Sequence, residues 1–312
     1  MRTVAIAGGL GQLGRCLVDG LAEFGSDRIY VLSRSSPPAT TLPPGVTVLQ
    51  VDYNNVASMS QVLEAHSIDT VICALGVLFA SASQAQLNLI QAAEASSTTE
   101  RFILSSFESM HTKEQVATNP LAAHVFDAIA AVEKTKLEYT RIVNGWFLDY
   151  YGMPHWPTHL HPWNSIVNVA EKWAVIPSDG SGEATFITTR DLAKFISGLL
   201  HLSDWDDVTC IAGDTISFNA LLELAQEVRG CKFEVAHDSL ESLKSGKISF
   251  SDRFPPTGIS DPVEHERFLA TLHYEAGTGK FKVPSMQRLN ERLPEINITT
   301  VRQLLESSWK QS

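Results

Sequence analysis

The sequence predicts an α/β fold: a doubly wound parallel sheet, followed by a smaller α+β lobe. Three observations carry this. Short apolar runs such as residues 4–7 alternate with amphipathic stretches at regular spacing through the first 150 residues. A glycine-rich segment, Gly8, Gly9, Gly11 and Gly14, joins the first run to the first amphipathic stretch. From residue 145 the composition shifts to aromatics, Pro and His, and the regular alternation ends.

The elements follow in order. The run at 4–7 is too short and too closely flanked by Gly for a helix, so it reads as a buried strand. A helix opens at Gln12, carries Leu13, Leu17, Val18 and Leu21 on one side, and ends near Gly25. Strands are expected at 28–33, 46–52, 69–75, 101–106 and 138–144, separated by a Pro-rich loop (37–45) and by helices at 55–66, 82–97 and 121–135. Residues 145–163 read as a pocket-lining loop. Beyond it come a strand at 172–180, a helix at 189–202 with Thr189 as its cap, and a strand at 208–213. A helix at 217–229, a strand at 231–237 and helices near 261–276 and 299–310 complete the chain. Residues 1–150, with contributions from about 170–213, are expected to form a cofactor-binding domain, and residues 151–312 the smaller substrate-binding lobe.

At 312 residues and 44% hydrophobic content, the chain can bury a sizeable core. A net charge of −11 argues against nucleic acid and against an anionic membrane surface, which both require basic patches. No apolar run approaches a membrane span. Cys16, Cys73, Cys210 and Cys231 are scattered without a CxxC, as reduced thiols of a cytoplasmic protein would be. His155, His159 and His161 lack a carboxylate or Cys at ligand spacing, so they read as pocket wall and not as a metal site.

The glycine segment carries the chemistry. Residues without a Cβ let the backbone approach a diphosphate, and the helix starting at Gln12 aims free N–H groups at it. This assigns Gly8, Gly11, Gln12, Leu13 and Gly14 to a dinucleotide in a Rossmann-type sheet. At the end of the second strand, where an acid would bond a ribose hydroxyl, stand Ser33, Arg34, Ser35 and Ser36. A guanidinium with hydroxyls suits a 2′-phosphate, so the cofactor is expected to be NADPH/NADP+. Ligands of such sheets lie beyond the carboxyl ends of the strands. That rule adds Asp52 beside the adenine, then Ala74, Leu75, Gly76, Ser105, Phe107, Asn144 and Phe147. Ser106, Ile129, Trp146, Tyr151 and Trp156 are assigned to the substrate pocket of a small molecule. Monomer and homodimer both remain open.

With these residues in view, the chain resembles the NmrA-like and isoflavone-reductase-like group of atypical short-chain dehydrogenases, fungal members in particular. The resemblance rests on AGGLGQLG (7–14), LSR (32–34), CALG (73–76), FILSSFES (102–109), FDAIAAVE (126–133), YTRIVNGWFLDYYG (139–152) and IPSDGSGEATFITTRDLAKF (176–195). It implies NADPH bound across Gly8 to Gly14 with Arg34 on the 2′-phosphate, a cleft between two lobes, and a place in secondary metabolism. The group's reductases carry a Lys in an FxxK helix pattern. Aligned on Phe126, that position is Ile129, and Val125 stands where a broader YxxxK pair would begin. A reductase without this Lys needs another proton source, and His124, ahead of the helix, Asp127 within it, Ser106 after the fifth strand, and Tyr150 or Tyr151 are the candidates. Alternatively its substrate needs little protonation, as an iminium would. Two further readings share the cofactor site: a redox-neutral isomerase or cyclase, and an NADP(H)-sensing regulator. A sensor has no need of a cleft walled by Trp146, Phe147, Tyr150, Tyr151 and Trp156.

Overall fold

The computed structural model describes residues 1–310 apart from Ser26, 36–41, Thr118 and Asn164. Ser36 and part of the Pro-rich loop therefore lie outside the described residues. The first ten elements are β1 (Thr3–Ala7), α1 (Gln12–Phe24), β2 (Arg28–Ser33), β3 (Thr47–Gln50), α2 (Val56–Ala65), β4 (Thr70–Cys73), α3 (Ala80–Ala95), β5 (Arg101–Glu108), α4 (Pro120–Val132) and β6 (Glu138–Val143). The strands follow β7 (Trp146–Phe147), β8 (Val167–Asn168), β9 (Trp173–Pro177), β10 (Glu183–Ile187), β11 (Val208–Cys210), β12 (Asp214–Ser217) and β13 (Glu234–Asp238). Among them run α5 (Thr189–Leu200), α6 (Phe218–Arg229), α7 (Leu240–Lys244), α8 (Pro262–Gly277), α9 (Leu289–Arg292) and α10 (Val301–Trp309).

Seven parallel strands form the main sheet in the order β11-β6-β5-β4-β1-β2-β3. β1 is its middle. Val4, Ala5, Ile6 and Ala7 are all fully buried, because both faces of the sheet are covered. Val4 and Ile6 pack with Leu17, Val18 and Leu21 of α1 and with Leu192 and Phe195 of α5. Ala5 and Ala7 meet the opposite layer, where Met59, Leu63, Leu89 and Ala128 come from α2, α3 and α4. Each fully buried Val, Leu or Ile stabilises the fold by roughly 1.5–3 kcal/mol. The chain leaves β1 toward β2 on one side and returns to β4 on the other. The switch point is thus between β1 and β4, which opens a crevice at their carboxyl ends.

The second half differs from the expectation in detail. α5 covers the β1 face and β11 extends the main sheet beyond β6, both within the stretch expected to contribute to it. β9 does not join: it pairs with β13 and β8 in a separate three-stranded sheet. β7, β10 and β12 form a third sheet, whose strands sequence reading missed. They are two to five residues long, too short for alternation to register. Thr188, not Thr189, caps α5, accepting the N–H of Asp191 at 3.0 Å. α4 ends at Val132 and not at 135, closing in turns at Lys134 and Thr135.

Candidate functional site

The crevice is a groove of about 350 Å³ lined by the glycine turn (Gly8, Leu10, Gly11), the end of β2 (Leu32, Ser33, Arg34), Tyr53, and the end of β4 (Ala74, Leu75, Gly76). Its floor requires glycine at two points. Gly8 has φ +79°, and a Cβ there would stand 2.7 Å from the carbonyl oxygen of Ala74. A Cβ on Gly14 would lie 2.1 Å from the oxygen of Gly8, so the first helical turn can press on the turn only without one. The N–H of Gly11 donates to Gly8 at 2.8 Å, which closes the turn. The first N–H groups of α1, beginning at Gln12, have no intrahelical acceptor and face a mouth shaped by bare backbone. Leu13 is half-buried against the α1 layer of the core.

At the β2 end, Ser33 accepts the N–H of Ser35 at 3.3 Å, and the Arg34 carbonyl accepts from the Gln50 side chain at 3.3 Å. The Arg34 guanidinium is exposed and has no ion-pair partner among the described residues. A cradle of glycines with an exposed guanidinium at one end fits the phosphates of a nicotinamide dinucleotide.

The exposed carboxylate of Asp52 accepts the N–H of Asn54 at 2.9 Å, building the turn into α2. Tyr53 lines the groove. Its hydroxyl donates to the Leu32 carbonyl at 3.1 Å, and burial pushes its ionisation above the ordinary phenol value. Sequence reading passed over Tyr53, although an aromatic beside the expected strand end was the available signal.

Around β5, Ser105 supports the groove from below. Its hydroxyl donates to the Leu75 carbonyl at 2.6 Å and its N–H to Gln86 at 2.7 Å. Ser106 is buried, with no hydrogen-bond partner for its hydroxyl among the described residues. Phe107 belongs to the core beneath α5 and not to the groove lining. Asn144 is fully buried, donating to the Gly145 carbonyl at 3.5 Å, while its own N–H reaches Glu108. Phe147 is half-buried, with its ring edge-on to Tyr150.

Three members of the expected aromatic wall are corrected. Tyr151 is fully buried, edge-on to Phe186. Trp146 is buried against the ring of Phe281. Trp156 packs beside Gly152 near Leu304 and Ser308 of α10. Trp146 and Tyr151 fill the interior around the small sheets, where aromatic area is worth most, and Trp156 is half-buried against the same core. The expected five-ring cleft does not form, so it cannot separate an enzyme from a sensor. The three histidines go to three different partners: His155 to the Trp309 ring, His159 to Asp19, and His161 to Gln12.

Among the proton-source candidates the structure discriminates. His124 sits inside α4 and not before it, since Asn119 caps the helix and Pro120 opens it. Its Nδ1 lies 2.7 Å from the Val77 carbonyl, just after groove-lining Gly76. A carbonyl only accepts, so Nδ1 carries the hydrogen and Nε2 is left for proton exchange. Asp127 is exposed on the outer side of α4. Ile129 is half-buried, packs against the core cluster that holds α2 and α3 residues, and is not among the residues lining the groove. α4 runs antiparallel to the strands, and its first turns are the ones nearest the groove. Tyr150 is pushed above the usual phenol range by burial, then by Asp149 and Cys16, which makes it a reluctant donor.

The sequence profile described as the NmrA-like family matches residues 1–277. Oxidoreductase BOA1 of Botryotinia fuckeliana is 32% identical over 302 residues, covering 95% of this chain and 96% of that protein. Oxidoreductase swnN of Metarhizium robertsii is 30% identical over 340 residues, covering 99% and 98%. The binary complex of leucoanthocyanidin reductase with NADPH from Vitis vinifera has the same fold. Its TM-score is 0.75 at 17% identity, over 99% of this chain and 100% of that one.

Proposed function

This chain belongs to the NmrA-like family, and on that footing we propose that it is an NADPH-dependent oxidoreductase acting on a small organic molecule of the secondary-metabolite kind. The observation that carries the reading is the groove itself: a glycine cradle at the switch point with Arg34 exposed at its β2 end. Gly8, Gly11 and the first turn of α1 would hold the diphosphate, Arg34 and Ser33 the 2′-phosphate, and Tyr53 the adenosine end. The cofactor would supply the hydride. The names of the two fungal relatives support redox chemistry.

Reduction of a ketone, enone or imine also consumes a proton. His124 is the ionisable side chain of α4 hydrogen-bonded to the loop beside the groove, and its tautomer leaves Nε2 to pass that proton. An iminium substrate would draw less on it.

The test is titration of the purified protein with NADPH and NADH, followed by nicotinamide absorbance as small ketones, enones and imines are added. Tight NADPH binding with oxidation by a panel member is the expected result. Tight binding without turnover on any carbonyl or imine would shift the reading to a redox-neutral enzyme or a sensor.

A further inference from the structure

Part of the aromatic and His-rich segment straps α1. Gln12, Cys16 and Asp19 are spaced i, i+4 and i+7, so they share one helix face. Residues 158–161 run along that face. Cys16 Sγ lies 3.6 Å from the Thr158 hydroxyl and accepts the N–H of His159 at 3.4 Å. His159 Nε2 lies 2.6 Å from Asp19, and Leu160 between them is buried. The strap ends at the first residue of the helix. There the His161 N–H donates to Gln12 Oε1 at 3.2 Å, and Gln12 Nε2 lies 3.2 Å from His161 Nδ1.

This pair fixes the chemistry of His161. Because Oε1 takes the backbone N–H, the amide nitrogen of Gln12 is the donor toward the ring, and Nδ1 must accept. The neutral imidazole then carries its hydrogen on Nε2, as a donor on an exposed side chain beside Gln12, the first residue of α1 after the glycine turn.

We propose that His161 is a cofactor-binding residue outside the glycine motif, donating Nε2–H to the diphosphate of the dinucleotide. The assignment rests on the reading of the groove as a dinucleotide site. Gln12 acts through His161: it orients the ring and ties the strap to the helix start. The diphosphate is common to NADPH and NADH, whereas Arg34 addresses only the 2′-phosphate.

The experiment measures Kd for both nucleotides in wild type, His161→Ala and His161→Gln. A hydrogen bond to a charged oxygen predicts about a ten-fold weakening for His161→Ala, equal for NADPH and NADH. His161→Gln keeps an N–H donor and recovers most of the loss. Nucleotide-free melting temperatures should agree, because the His161 side chain is exposed. Unchanged affinities in His161→Ala, with wild type binding normally, would overturn the inference and leave the groove reading standing. A loss confined to NADPH would also overturn it, since it would move the contact to the 2′-phosphate. Failure of wild type to bind either nucleotide would remove both.

Discussion

Asp149 accepts two hydrogen bonds from one residue, Thr189: its backbone N–H at 2.8 Å and its hydroxyl at 2.6 Å. Thr189 is the first residue of α5, so the carboxylate satisfies an N–H that the helix cannot. It also joins the turn after β7 to the helix that covers β1. Asp149→Ala would bury both donors without an acceptor and should cost about 1–3 kcal/mol per group, read as a lower urea midpoint. Asp149→Asn keeps a carbonyl oxygen and should lose less. Burial raises the Asp149 pKa despite these bonds. A raised folded value means its contribution is full below the unfolded pKa, near 3.9, and is lost as pH rises through the folded one. The gap between wild type and Asp149→Asn should therefore narrow with rising pH. A gap that widens would refute the assignment.

Arg34→Asp tests the cofactor preference. The guanidinium is exposed and unpaired among the described residues, so its removal should leave the fold intact. Loss of a charge-assisted contact, on the order of 1.5–3 kcal/mol, weakens NADPH roughly 10- to 100-fold. NADH, which lacks the 2′-phosphate, should change little. Equal loss of both nucleotides would place Arg34 elsewhere on the cofactor.

The layered half of the molecule was legible because its signals are local. The burial of residues 4–7, the glycines and the amphipathic face of α1 sit within a few residues of one another. The same holds for the groove ends at Ser33, Arg34 and Ala74 to Gly76. The aromatic segment was not legible, because whether Trp146 or Tyr151 lines a cavity depends on partners far along the chain, Phe281 and Phe186. Ile129, five residues further along α4 than His124, packs against the core cluster, whereas His124 reaches the loop after groove-lining Gly76. His124 was found as a candidate, but its role depends on a carbonyl 47 positions away.

His124 should matter for turnover and not for cofactor affinity. With a substrate from the panel, His124→Phe should lower kcat by about 10²- to 10⁴-fold, the usual loss of a positioned acid. NADPH Kd should stay within about two-fold, because the Val77 contact lies beyond the glycine cradle. Asp127→Asn, on the exposed side of the same helix, serves as the control and should leave kcat unchanged. If the Asp127 variant loses activity and the His124 variant does not, the proton comes by the other route.

His273 sets an acid limit on stability. It lies fully buried in α8, its ring edge-on to Phe254 at 5.4 Å, and burial lowers its pKa to about 3. The unfolded value is near 6.5, so below that pH the unfolded chain takes up a proton that the folded one refuses. Stability from this group is full above about 6.5 and falls as pH drops toward the folded value, by about 1.4 kcal/mol per pH unit. His273→Gln cannot titrate. Between pH 6 and pH 4 (denaturation conditions chosen to be roughly centred in this window) its urea midpoint should decline less steeply than that of wild type. Parallel slopes would mean that His273 is already protonated in the fold, or that other groups govern the acid transition.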